Sequence, residues 1–181
     1  MNRFTQCLLM AAAVVSPTIV HAQSEDKPLT VGVSGGVSVP TGDLADAVDA
    51  GYSVAGHVFF APAALTSVRF RGDVSFDQFS YKKGSSLSDE SFRSLGFVAN
   101  AMVDLTSGSS SMMPYLVGGL GVYSGKASGS DDSSTDFGLQ VGAGLTFKLS
   151  GFATFLEAKY VNVFSDPNST GYLPITFGVR F

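Results

Sequence analysis

The sequence predicts an all-β fold: an eight-stranded antiparallel up-and-down transmembrane β-barrel. Three observations predict it. Apolar residues recur with a period of two along almost the whole chain, the period of a strand with one apolar face. The chain opens with an export leader. Beyond that leader no stretch approaches the roughly 18 to 20 continuous apolar residues of a spanning helix, so only strands are left to cross a membrane.

Of 181 residues, 45% are hydrophobic and 14% charged, which excludes a disordered polar chain and fits one compact domain. Met1 to Ala22 carries Arg3, an apolar run through Leu8, Leu9, Met10 and Ala11 to Val15, and the small-x-Ala ending Val20-His21-Ala22. We read residues 1–22 as a signal peptide and 23–181 as the barrel domain. The single cysteine, Cys7, leaves with the leader, so no disulfide, thiol nucleophile or thiolate metal site is expected. Cleavage removes one of 11 Lys/Arg and none of 15 Asp/Glu, giving 10 − 15 = −5. An acidic chain without a basic block predicts no nucleic-acid partner.

The strands follow in order. Leu29, Val31, Val33, Val37 and Val39 alternate with Thr30, Gly32, Ser34, Gly36 and Ser38, and Pro40-Thr41-Gly42-Asp43 ends the run. After a polar loop through Asp46, Asp49 and Gly51, Tyr52, Val54, Val58 and Phe60 resume the alternation against Ser53, Ala55 and His57, before a turn at Pro62. In the third strand Val68, Phe70, Val74 and Phe76 oppose Arg69, Arg71, Asp73, Ser75 and Asp77. A loop from Lys82 to Glu90 leads to Leu95, Phe97, Ala99, Ala101, Val103 and Leu105, opposed by Ser94, Gly96, Asn100 and Asp104. The fifth strand, Pro114 to Ser124, has the weakest parity; Leu116, Leu120 and Val122 are assigned to the apolar face, with Tyr115, Gly119 and Gly121 opposite. Beyond a loop from Gly125 to Thr135, Phe137, Leu139, Val141, Ala143, Leu145 and Phe147 alternate with Gly138, Gln140, Gly142, Gly144, Thr146 and Lys148. Ser150-Gly151 turns into Phe152, Leu156, Ala158 and Tyr160, which oppose Glu157 and Lys159. Past Ser165-Asp166-Pro167-Asn168, Leu173, Ile175, Phe177, Val179 and Phe181 oppose Thr176, Gly178 and Arg180. No helical period appears. Longer connections are expected after the first, third, fifth and seventh strands, with shorter turns between.

A soluble eight-stranded barrel turns its apolar face inward, and a membrane barrel inverts it. Here the polar face is rich in Gly, Ser and Thr, as a narrow lumen requires if it must also hold Arg69, Arg71, Glu157 and Lys159. On the opposite face Arg69 and Arg71 would each cost about 2–4 kcal/mol in lipid, which fixes the parity. Tyr52, Phe60, Phe137, Phe147, Phe152 and Tyr160 supply interfacial aromatics without Trp.

The terminal Tyr172-Leu173-Pro174-Ile175-Thr176-Phe177-Gly178-Val179-Arg180-Phe181, with its aromatic carboxyl-terminal residue, and Pro114-Tyr115 with Gly119-Leu120-Gly121 carry a likeness over the whole mature chain. The sequence resembles the OmpA/OmpX-type small outer-membrane β-barrels of Gram-negative bacteria. That resemblance implies a monomer in outer-membrane lipid, both ends in the periplasm and four exposed loops. It also implies recognition by the barrel assembly machinery, with Phe177, Val179 and Phe181 as the signal. Unlike two-domain relatives, this chain is expected to carry no periplasmic domain beyond Phe181. It does not specify activity, because such barrels include adhesins, tethers and enzymes. A non-enzymatic structural or cell-surface interaction role is expected; a lipid-modifying enzyme and a small solute channel are the alternatives.

Candidate chemistry is sparse. His57, the only histidine of the mature chain, could act as a base beside a lumenal Ser and a carboxylate, but its inward parity takes it away from any acyl chain. It is read as a hydrogen-bonded lumenal residue. Arg69, Arg71, Lys148, Lys159 and Arg180 share the inward face with Asp73, Asp77, Asp104, Asp136 and Glu157, five against five, and predict an ion-paired plug rather than a conduit. The loop acids Asp43, Asp46, Asp49, Asp89, Glu90, Asp131, Asp132 and Asp166 match no calcium loop. Gly118-Gly119-Leu120-Gly121 precedes no helix and is no phosphate loop, and Asn168-Ser169-Thr170 carries little weight as a glycosylation acceptor in a bacterial protein. No catalytic, cofactor or metal site is expected.

Overall fold

The computed structural model of the chain describes residues 28–82, 90–106, 111–128, 133–165 and 169–181. The leader with Cys7 and His21, and Lys83, Asp89, Asp131, Asp132, Asp166 and Asn168, lie outside the described residues. Eight strands run in chain order: β1 Leu29–Thr41, β2 Gly51–Phe60, β3 Val68–Ser80, β4 Ser91–Asp104, β5 Met112–Ala127, β6 Ser133–Leu149, β7 Phe152–Phe164 and β8 Ser169–Arg180. Each pairs antiparallel with its neighbour in sequence, and β8 closes on β1. Closure leaves no open ladder edge, which in hydrocarbon would expose unsatisfied backbone groups. The seam runs to the chain end, where Phe181 N–H donates to Val31 O at 2.8 Å and Val31 N–H to Phe181 O at 3.3 Å.

Register sets the shape. From Thr30 the pairing leads through Phe59, Arg71, Asn100, Gly119, Gln140 and Val161 to Tyr172 and Pro40. The walk returns to β1 40 − 30 = 10 residues further along, and eight strands with that stagger tilt by about 40°.

The apolar stripe faces outward on every strand. Val33 is 60% exposed, Val141 63% and Phe177 54%, values that belong to a lipid-facing wall rather than to a core. In β5, Leu116, Leu120 and Val122 face out while Tyr115, Val117 and Tyr123 are buried, the parity assigned from sequence. No helix among the described residues is long and apolar enough to cross a membrane.

Two local features differ from the sequence reading. A five-residue helix, α1 Asp43–Ala47, occupies the first long connection, where a loop was expected. It follows Gly42, whose φ of 58° glycine tolerates without strain. The regular alternation of long and short connections also fails. Positions 165–168 form a shorter link than 61–67 or 105–111, because β5 to β8 continue past their apolar stretches at that rim. Above the lipid the ladder persists although the outward face no longer has to be apolar, so periodicity underestimates these strands. The rim with the 42–50 and 81–90 connections is the external one by the usual loop asymmetry, and both strand termini lie at the other.

Candidate functional site

The lumen is filled in three layers. At mid-height, neighbouring inward positions on β3 and β7 bring Arg71, Asp73, Glu157 and Lys159 together. Arg71 forms a two-pronged pair with Glu157 (Nη1 to Oε2 2.7 Å, Nη2 to Oε1 2.9 Å), and its Nε lies 2.8 Å from Asp73 Oδ1 with the N–H aimed off that oxygen. Lys159 Nζ bridges Asp73 at 3.5 Å and Glu157 at 3.4 Å, so two cations meet two anions. Tyr115 OH donates to Glu157 at 2.7 Å. Asn100 donates to Asp73 Oδ2 at 3.0 Å and to the Arg71 carbonyl at 3.2 Å, while Gln140 donates to Asn100. Buried charges in a dry interior persist only when paired and hydrogen-bonded in this way.

Apolar layers close both sides of this belt. Toward the periplasmic rim stand Phe59, Met102, Tyr115, Val117 and Phe155. Toward the external rim stand Phe79, Val98, Tyr123, Val161, Val163 and Tyr172, with Val48 from the chain just after α1 dropped onto them at 1% exposure. The void bounded by Phe59, Arg69, Tyr115, Phe155 and Arg180 has no room for a water molecule.

The five-against-five arrangement of inward charges is narrower in the structure. Arg69 pairs with Asp104 through two hydrogen bonds near the periplasmic rim. Among the described residues Arg180 pairs with no carboxylate; it lies over the Phe59 ring, 5.4 Å from its centroid, because aromatic side chains occupy that level. Asp77 is buried and accepts from Ser38 Oγ at 2.6 Å rather than pairing directly with a cation. Asp136 accepts from Ser165 Oγ at 2.8 Å in the half-buried external rim. Lys148 is exposed, at the penultimate position of β6, where inward parity no longer buries a side chain. It is therefore not part of the lumenal network.

His57 is buried, with Nδ1 2.8 Å from Asp73 Oδ1 and Nε2 2.8 Å from Ser34 Oγ. The ionised carboxylate can only accept, so Nδ1 donates to it, which leaves Nε2 facing the Ser34 hydroxyl. The bonding order is that of a Ser-His-acid triad. The surroundings are not those of one: the His57 ring packs edge-on against Phe155 with centroids 5.5 Å apart, and the neighbouring backbone N–H groups of β1 serve the ladders to β2 and β8. Acyl transfer needs space at the hydroxyl and free donors for the oxyanion. Ser34, Asn100, Gln140 and the inward aromatic residues were not singled out as partners by sequence reasoning. Each comes from a strand whose register is needed to place it. Among the described residues no group of three or more His, Cys, Asp or Glu is placed to hold a metal.

This closed, outward-apolar barrel defines an integral membrane β-barrel protein. The sequence matches the family profile "Outer membrane protein beta-barrel domain" over residues 7–181, and the chain belongs to that family, which places it in the bacterial outer membrane. With eight strands it is a small barrel of that family. Among solved structures, Neisserial surface protein A is similar at 18% identity, with a TM-score of 0.66, covering 85% of this chain and 96% of that one. The Yersinia pestis outer membrane protein Ail, in a phospholipid bilayer nanodisc, is similar at 20% identity and a TM-score of 0.52, over 84% of this chain and 99% of that one. The outer membrane enzyme PagL is similar at 16% identity and a TM-score of 0.46, over 84% and 98%, a likeness too low to carry an argument. Such likenesses show the fold alone. A search of curated protein sequences found no match.

Proposed function

We propose that this protein is a sealed, monomeric, non-enzymatic outer-membrane barrel with a structural or interaction role at the cell surface. The observation that carries the reading is the filling of the lumen: a paired ionic belt between two apolar layers leaves no aqueous path for a solute. What remains available to partners is the external rim and the outer wall. The names of the two structures of matching fold, a surface protein and an attachment invasion locus protein, are compatible with such a role. The test is conductance in planar bilayers. The purified barrel is expected to give no steady porin-like current, and such a current would overturn the reading.

A lipid-modifying enzyme is the second reading, and the Ser34–His57–Asp73 bonding favours it. That reading requires a lipid to enter a filled lumen, whereas among the described residues the outer wall beside these strands carries no matching set. Lipid A acyl composition that depends on His57 would restore it.

A further inference from the structure

Two features of the outer wall lie one above the other on β4 and β5. The upper one is cationic. Arg93 and Lys126 are direct register partners, and both side chains are exposed on the outward face. Like charges directly opposite one another repel, and among the described residues no carboxylate pairs with either. Among the described residues they are also the only Lys or Arg on the outward face of a strand, and no Asp or Glu shares that face. Gln78 on β3 and Ser133 on β6 extend the polar row as their register partners. The row stands one outward position above Leu95, at the upper limit of the apolar stripe, where lipid headgroups begin.

The lower feature is an apolar groove of about 900 Å³ in the same wall. Small residues Ala99, Ala101 and Gly118 form its floor, and Phe70, Leu120 and Tyr160 stand around it. From Arg93 to Ala99 is six residues, about 20 Å along a strand and, at the tilt of this barrel, about 15 Å in depth. That span is within reach of one acyl chain whose headgroup rests on the cations.

We propose that this wall binds one phosphorylated, acylated lipid of the outer leaflet, its phosphate on Arg93 and Lys126 and a chain in the groove. Charge complementarity selects this occupant. At headgroup depth the phosphate ester is the anion that surrounds a membrane protein, and a chain with 15 acidic against 11 basic residues keeps two cations there that no described carboxylate meets. A second copy of the barrel fits less well, because its described outward strand faces offer no carboxylate to meet them.

The experiment uses the folded barrel in nanodiscs of neutral phosphatidylcholine, with native mass spectrometry reading the retained probe. The probes are bis-phosphorylated lipid A, its dephosphorylated form and inorganic phosphate. The unmodified protein is expected to retain the phosphorylated lipid roughly tenfold to thirtyfold better than the dephosphorylated one, the contribution of two cations near a membrane surface. The double variant Arg93→Gln/Lys126→Gln should lose that preference. Gly118→Leu should lower retention of both lipids, and inorganic phosphate should not be retained at all. A Cβ at Gly118 approaches nothing closer than the Gln140 carbonyl at 4.0 Å, so the substitution is compatible with the fold. If it nonetheless fails to fold, Ala101→Leu fills the groove from the adjacent strand. Equal retention of both lipids by the unmodified protein, an unchanged preference in the double variant, retention indifferent to a filled groove, or dimers cross-linked through β4 and β5 would each overturn the proposal.

Discussion

Glu157→Ala tests the lumenal belt most directly. The carboxylate is fully buried and takes two hydrogen bonds from Arg71, at 2.7 and 2.9 Å, and one from Tyr115 at 2.7 Å, with Lys159 3.4 Å away. Truncation leaves two cations facing Asp73 alone and a buried phenol without its acceptor. Breaking a buried pair costs about 3–5 kcal/mol. The tyrosine adds less than its separate value, because it shares the network. The folding equilibrium should therefore fall by roughly two to four powers of ten. Urea unfolding in detergent micelles, followed by heat-modifiable gel mobility, should show a lower midpoint with an unchanged slope. Arg71→Met/Glu157→Leu should recover much of the loss, because well-packed apolar replacements of a buried pair are often neutral. A loss below about 1 kcal/mol, the scale of an exposed pair, would mean that the belt is solvated and the barrel not sealed.

Gly144→Ala drives a methyl into the Tyr115 ring and should cost about 1–3 kcal/mol in the same unfolding assay. Gly72→Ala, with nothing within 4 Å, should stay within about 0.5 kcal/mol; equal effects would contradict the packing described. His57→Ala should leave lipid A mass spectra unchanged, and a fluorophosphonate probe should not label Ser34; labelling that disappears with His57 would reveal a working triad. Deleting Phe181 removes both terminal backbone bonds to Val31 and the outward terminal aromatic. It should slow outer-membrane insertion and raise periplasmic degradation while export continues, as pulse-chase with heat-modifiable mobility will report; normal assembly kinetics would count against a terminal signal.

The wall was legible in the sequence and the lumen only in part. Lipid imposes one rule on every outward position, so Val31, Phe97, Val141 and Phe177 declare their face by alternation alone. Inward positions obey no single rule. Phe59 follows the outward Val58 and precedes the outward Phe60, and nothing in a two-class pattern separates an inward aromatic from an outward one. The inward glycines were read as making room for arginines and lysines, and Gly142 does lie against Lys159. Others make room for rings instead: Gly96 and Gly138 flank Tyr123, where an added Cβ would lie 2.8 and 2.7 Å from ring atoms, and Gly178 lies beneath Phe155. That pairing of glycine with a ring one strand away requires the register. The Ser34–His57–Asp73 line spans β1, β2 and β3 and is hidden for the same reason.

Register itself points to what the lumenal charges do. The outward face is apolar at nearly every position, so sliding one strand past another by two residues keeps apolar groups in lipid and costs the wall little. Lipid therefore enforces parity but not register. The lumen does discriminate. Arg71 on β3 meets Glu157 on β7 across 86 residues of chain, and Asp73 meets Lys159 across the same interval. A two-residue slip would set Arg71 against Lys159 or Phe155, exchanging a paired charge for a repelled or unpaired one in a dry layer. Such a penalty is larger than any that exposed pairs could impose. The belt thus selects one shear among several that the wall accepts, and the flanking aromatic layers exclude the water that would soften that choice. A lumen devoted to register fits the sealed barrel proposed above, in which partners would meet the external rim and the outward face where Arg93 and Lys126 stand.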